Sequence, residues 1–264
     1  MNTKLSGAQL VLVPITKMGE NKFPWVENIR SRFIKFVDFF PTRYLPGTTT
    51  EGLEVTDGLF VTFKNAAGNT EFIRNLPLQR LDYQKTLGIR QPIFSNIALS
   101  DCSVNCQNES VLGKVAAFVF WYDLPDFSAK NNTTKLVTDS ISIPLTTKYG
   151  LNVFPDLERM SGKRFRRLLL SNPNFTPDGN PGIPGDQAVN IYLTLRKGSY
   201  NVVENLPIKL LWQLQMLEKS EFQNIIFDFQ SSYLIIGGDG SIPNIDEYIG
   251  KSVFFNLQYE KLEG

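Results

Sequence analysis

Cys102 and Cys106 stand as Cys-x3-Cys in the polar stretch SDCSVNCQNES. A local disulfide or part of a metal site is the chemistry open to such a pair. A metal needs more ligands than these two, and a chain made in a cytoplasm rarely keeps a disulfide. They are read as loop thiols without a role. The chain has no histidine. That removes the Ser-His-Asp triad, the imidazole base and the histidine metal site. Carboxylates remain, and a glycosidase works with two of them. Asp228, Asp239, Asp246 and Glu247 are near one another in sequence, but no spacing marks a pair. The chain therefore reads as a non-enzyme, with no catalytic, cofactor-binding or metal residue to name.

Binding chemistry has better candidates. Lys163, Arg164, Arg166 and Arg167 surround Phe165 in the densest charge run. Such a run suits anionic lipid headgroups or the acidic side chains of a neighbour; the plainer reading is a solvated strand face. Trp25, Trp121 and Trp212 could stack on sugars. Trp121 and Trp212 lie in strongly apolar segments (FVFWYD, KLLWQLQ) and are assigned to the core; Trp25 is the interface candidate because Asp156 stands at its place in the second half of the chain. A net charge of +1 gives no support to bulk nucleic-acid binding.

The elements that must position these residues are mostly strands. Among 264 residues, 42% are hydrophobic and 20% charged, a globular composition. β-Branched and aromatic runs predict strands over Leu10–Ile15, Arg32–Phe40, Leu59–Lys64, Thr70–Arg74, Ile93–Leu99 and Val115–Tyr122. The second half predicts Ser140–Leu145, Arg164–Leu170, Val189–Arg196, Tyr200–Glu204, Asn224–Ile236 and Val253–Tyr259. Each half also predicts one helix, Leu78–Leu87 and Ile208–Leu217, opened by a proline. Gly88 suits the first helix's end. Asn172–Gln187, rich in proline and glycine, is a loop. The N-terminal stretch reads as no signal peptide, and no apolar run approaches the length of a membrane span.

The chain also repeats itself, with a period of roughly 130 residues. Pro14-Ile15-Thr16 recurs as Pro144-Leu145-Thr146, and Lys17 and Gly19 as Lys148 and Gly150. Asn21, Phe23, Pro24 and Glu27 recur as Asn152, Phe154, Pro155 and Glu158. Trp25 breaks the pattern, for Asp156 stands in its place. Arg32-Phe33 recurs as Arg164-Phe165, Pro41 as Pro173, Gly47 as Gly179 and Thr62 as Thr194. Asn75-Leu76-Pro77 recurs as Asn205-Leu206-Pro207. Gly113-Lys114, Phe118 and Tyr122 recur as Gly250-Lys251, Phe255 and Tyr259. This divides the chain into residues 1–126, a polar linker at 127–135, and residues 136–264.

Strands of this number, without alternating βα units, imply antiparallel sandwiches. The expected fold class is all-β: two tandem eight-stranded jelly rolls related by internal duplication, each with one short helix in a late-middle loop. Over residues 8 to 262 the chain resembles the double jelly-roll major capsid proteins of tailless, membrane-containing icosahedral bacteriophages, a lineage shared with the adenovirus hexon. The resemblance rests on the two β-rich repeats, the paired Asn-Leu-Pro-helix segments and the histidine-free, near-neutral chain. It implies a structural virion protein with no cofactor, made in the host cytoplasm and built into the capsid. Its partner is itself, as a homotrimer whose six barrels form a pseudo-hexameric tile in a shell. Candidate further partners are penton and minor capsid proteins and the headgroups of an internal membrane. Sequence-specific nucleic acid is not among them. The alternative is a two-domain carbohydrate-binding or adhesion protein of a spike or tail.

Overall fold

The computed structural model describes residues 5–30, 32–48, 50–66, 71–86, 90–124, 134–155, 160, 163–171, 179–216, 223–237 and 245–262. The chain forms two compact units. One comprises Ala8–Leu45 and Thr50–Asp123; the other comprises Met1–Gly7, Pro46–Thr49 and Leu124–Gly264. The protein is all-β: among the described residues sixteen strands stand against three short α-helices.

The first half runs β1 (Leu5–Pro14), β2 (Gly19–Lys22), β3 (Phe33–Phe39), β4 (Leu59–Lys64), β5 (Glu71–Pro77), α1 (Leu78–Thr86), β6 (Gln91–Asn96), β7 (Ser103–Cys106) and β8 (Val115–Leu124). Its strands order as β1-β8-β3-β6 in one sheet and β2-β7-β4-β5 in the other. The second half runs β9 (Thr134–Pro144), β10 (Leu151–Val153), β11 (Arg164–Ser171), β12 (Ile191–Lys197), β13 (Tyr200–Pro207), α2 (Ile208–Met216), β14 (Gln223–Ile226), β15 (Asp228–Ile236), α3 (Ile245–Tyr248) and β16 (Ser252–Leu262). These order as β9-β16-β11-β14 and β10-β15-β12-β13. Counted from the start of each half, the first, eighth, third and sixth strands share one sheet. The second, seventh, fourth and fifth share the other.

Phenylalanine fills the space between the sheets. In the first unit Phe23 lies 5.6 Å from Phe63 of β4 and 5.0 Å from Phe118 of β8, so its ring touches both sheets. In the second, Phe154 lies 5.9 Å from Phe229 of β15 and 6.2 Å from Phe255 of β16. Burying each such ring contributes about 2–3 kcal/mol.

The turns repeat along with the strands. Asn21 accepts from the N–H groups of Thr16 and Lys17 at 2.9 and 3.2 Å and donates to the Lys17 carbonyl at 2.9 Å. Asn152 does the same for Thr146 and Thr147, at 2.8, 2.9 and 3.0 Å. Asn75 and Asn205 adopt left-handed φ values of 47° and 51°, which asparagine tolerates better than most residues. Their N–H groups donate to Thr62 and Thr194 hydroxyls, each at 3.1 Å. The register shifts beside both threonines, so each Asn-Leu-Pro closes a bulge and sends the chain into a helix. Gly113 and Gly250 both sit at φ 84°. There the N–H donates to the Ile15 or Leu145 carbonyl at 2.9 or 3.0 Å. Gly150 does not share the left-handed φ of Gly19, because the turn that Asn152 clamps is one residue longer.

α1 and α2 fall where the apolar spacing predicts them, whereas the one-turn α3 was not anticipated. α1 buries Leu78 and Leu81, and α2 buries Ile208, Leu210, Leu211 and Leu214. Gly88, Leu217 and the Tyr83 side chain lie outside the described residues. Gln215 of α2 brackets β11, accepting from the Leu170 N–H and donating to its carbonyl, both at 2.8 Å. The linker at 127–133 and loop residues 172–178 also lie outside the described residues.

Three expectations need correction. β2 (GENK), β7 (SVNC) and β10 (LNV) are strands that were not anticipated, being short and largely without apolar alternation. The run 224–236 is two strands in different sheets, with Phe227 buried at the crossing. The alignment of Phe33 with Phe165 is one residue out. β3 sets Phe39 opposite Phe118, and β11 sets Leu170 opposite Phe255. Ile34 thus corresponds to Phe165, both buried, while Phe33 points outward. A one-residue slip flips every side chain to the other face.

Asn21→Ala and Asn152→Ala each leave two backbone N–H groups without their side-chain acceptor. Each is expected to lose about 2–3 kcal/mol of stability, read as a lower urea midpoint at unchanged slope. An unshifted midpoint would show that water replaces the asparagine.

Candidate functional site

The two cysteines lie in the core, not in a reactive loop. Cys102 and Cys106 are both buried and free. Cys102 Sγ donates to the Ala98 carbonyl at 3.2 Å and accepts from the Lys64 N–H at 3.3 Å. Burial pushes its thiol up from 9.0 to about 11, against the smaller opposing effect of the Lys64 contact. Thiolate is the reactive form, so this sulfur is protected. Cys106 Sγ donates to the Asn108 carbonyl at 3.3 Å. Among the described residues no group of three metal-ligating side chains converges.

The acidic residues serve separate local structures. Asp228 accepts from Lys197 Nζ at 2.7 Å and from the Gly198 N–H at 2.8 Å, closing the β12–β13 turn. Desolvation raises its pKa, but these bonds outweigh that effect and hold it below the usual carboxylate range. Asp246 pairs with Lys148. Glu247 is exposed beside it, and Asp239 lies outside the described residues.

The candidate binding residues are divided between the units. Trp25 follows β2 and is 59% exposed. The Arg30 guanidinium lies 4.7 Å from its ring centroid, and its Nε1 donates to Glu27 at 3.2 Å. A cation thus stacks on the indole while more than half of the residue stays exposed. Asp156 lies outside the described residues, so that exchange has no structural account. Lys163 leads into β11, which carries Arg164, Arg166 and Arg167. Phe165 and Leu168 both point into the core, three residues apart. Strand alternation cannot do that unaided, and the ladder shifts between Phe165 and Arg167 to absorb the extra residue. Arg167 is exposed on the outer face; the side chains of Arg164 and Arg166 are not described. Of the other tryptophans, Trp121 is buried. Trp212 is half-buried, its ring so close to Gly185 that an added Cβ would lie 2.6 Å away.

One cluster escaped the sequence reading. On the outward side of β3, Asp38 is buried and accepts from Arg90 Nη2 and from Trp121 Nε1, each at 2.7 Å. The Arg90 guanidinium lies 4.4 Å from the Phe36 centroid and 4.7 Å from that of Trp121. Pairing and stacking together let the charges tolerate burial. By the same registers, the second unit has Leu169 in place of Asp38 and Gln258 in place of Trp121. The outer face of this sheet therefore differs between the units. The partial alternation of charged and apolar residues over Arg32–Phe40 was visible in the sequence, but Arg90 is distant and nothing local links it to Asp38.

No protein-family model matches the chain, and no curated protein or solved structure matches it significantly. No helix among the described residues is long and apolar enough to cross a membrane.

Two outcomes follow from this geometry. Asp38→Ala removes the buried carboxylate that the Arg90 guanidinium and the Trp121 N–H share, and is expected to cost about 3–5 kcal/mol in urea unfolding. Adding Arg90→Met should recover most of that loss, and failure to recover it would show that packing, not charge, sets the cost. Cys102 titrates higher folded than unfolded, so its contribution is full below about pH 9 and is lost as pH rises to about 11. Over that window the wild type should lose roughly 2–3 kcal/mol more than Cys102→Ala. Parallel pH profiles for the two proteins would contradict this.

Proposed function

We propose that the chain is a double jelly-roll major capsid protein that trimerises into a pseudo-hexameric tile. The observation that carries the reading is the strand order: first-eighth-third-sixth and second-seventh-fourth-fifth, found in both halves. That is the order of a jelly roll. The turns add weight, since Asn21 with Asn152, Asn75 with Asn205, and Gly113 with Gly250 recur with matching partners. Duplication of one jelly roll accounts for both at once.

Function follows from duplication with divergence. Two copies of one sandwich in a chain become six around a threefold axis, which gives the near-hexagonal outline that paves a facet. The sandwiches must keep their fold yet meet different neighbours. Their cores repeat, while Asp38, Trp121 and Trp25 on the first have no counterpart on the second. In this reading Trp25 belongs to a contact between subunits. Lys163, Arg164, Arg166 and Arg167 face acidic neighbours or anionic headgroups. The adhesion reading has less support, because of the three tryptophans only Trp25 presents most of its ring to solvent.

The test is the mass of the native protein by light scattering coupled to size exclusion, with negative-stain images of the same peak. A trimer with a six-lobed outline, or closed shells, is expected. A monodisperse monomer at every concentration would overturn the tile reading.

A further inference from the structure

β10 is the terminal strand of its sheet, and its outward side is apolar. Leu151 is 52% exposed and Val153 47%, with Tyr149 just ahead of them at 64%. Leu151 and Val153 flank Asn152, whose side chain turns inward to clamp the preceding turn. Half-buried Ile235 and Tyr233 of β15 lie opposite Leu151 and Val153 in register, extending the apolar face inward.

The first unit supplies an internal control. Asn21 and Asn152 make equivalent bonds, so Met18, just ahead of β2, and Glu20 and Lys22 of β2 occupy the places of Tyr149, Leu151 and Val153. Glu20 and Lys22 form an exposed ion pair at 2.7 Å. Charges of this kind keep an edge strand solvated and unavailable to another chain. The fold does not require apolar side chains at the two strand positions, since the first unit places Glu20 and Lys22 there and keeps an apolar residue only at Met18, ahead of the strand. The other unit's apolar edge calls for an occupant.

We propose that β10 is a two-fold contact through which one copy of this chain meets a second copy, edge to edge. The occupant is argued from the strand's own pattern. Antiparallel pairing of β10 with itself, centred on Asn152, sets Leu151 of one copy opposite Val153 of the other and places all four side chains on one face. A contact of this symmetry needs a self-complementary patch, and a strand with apolar residues at both positions flanking its centre provides one. A net charge of +1 opposes it little.

The area says where the contact operates. Scaled by their exposure, the three side chains offer roughly 300 Å² per copy, so a symmetric pair removes at most about 600 Å² from water. Stable interfaces begin near 1,200 Å² or so. Free copies therefore do not dimerise through β10 alone. Copies already held side by side gain from high effective concentration. The contact thus joins one tile to the next, and in that respect the inference rests on the shell reading above.

The experiment uses the double variant Leu151→Cys, Val153→Cys in the full chain. Cysteines at opposed antiparallel positions can bridge two copies, whereas neighbours two apart along one strand do not bridge each other. Cys102 and Cys106 are buried and add little background. After mild oxidation, non-reducing gels and electron microscopy are read together. Shells containing covalent dimers are the expected result. Shells without dimers overturn the β10 contact and leave the shell reading intact. Dimers at high concentration with no shell overturn the shell reading and keep the contact. Neither dimers nor shells overturn both. Leu151→Glu with Val153→Lys, which copies the first unit's edge, should abolish shells while trimer mass stays unchanged. Shells at wild-type yield from that variant would also overturn the contact.

Discussion

A layer of phenylalanine rings holds each sandwich closed, and the rest of each unit is arranged around keeping that layer dry. Phe23 and Phe154 enter from loops just after the second strand of their halves. Each touches rings from both sheets. Rings placed this way fix the distance between the sheets and hence the length of every connection between them. A turn that is too loose would let water reach the layer. The asparagine clamps and left-handed glycines are therefore as necessary to the core as the rings, although they contribute no apolar surface of their own.

Within this frame the outer faces are free to differ, and they do. On the first unit a charged pair and two aromatic rings pack against the back of β3 and β8. The equivalent places on the second carry Leu169 and Gln258. At the second-strand edge the polarity reverses: the first unit is charged and the second apolar. The interior is constrained by one packing problem solved twice. The exterior answers to whatever lies outside, and the two exteriors have different answers.

The all-β class, α1, α2 and most long strands were legible because each rests on local chemistry. Asn-Leu-Pro is an example: a left-handed asparagine, a buried leucine and a proline together end a strand and open a helix. What was not legible depends on partners far away in the chain. β2 shows little apolar alternation because Glu20 and Lys22 face solvent and its buried residue is Asn21, and β7 is four residues long with Val104 as its one aliphatic residue. The break at Phe227 left no trace, since Ile225, Phe227 and Phe229 alternate inward whether the chain stays in one sheet or crosses to the facing one. The slip at Phe33 arose because Arg-Phe occurs in both halves on opposite faces, and only the pairing with β8 and β16 reveals it. Cys102 and Cys106 looked like loop residues among polar neighbours, and the long reach from Lys64 that buries one of them is invisible locally. Of the candidate binding residues, the exposure of Trp25 was readable from its missing counterpart, whereas Asp38 and Arg90 lie 52 positions apart.

The placement of the tryptophans has an optical consequence. Trp121 belongs to one compact unit and Trp212 to the other. The first has its N–H on a carboxylate and a guanidinium over its ring; the second rests against bare backbone at Gly185. Trp25 is largely in water and reports little about either interior. Emission from this chain therefore carries two separate colours of environment, one for each sandwich. Steady unfolding that shifts both together would mark the chain as a single cooperative body. A two-stage shift would show that each sandwich melts on its own account.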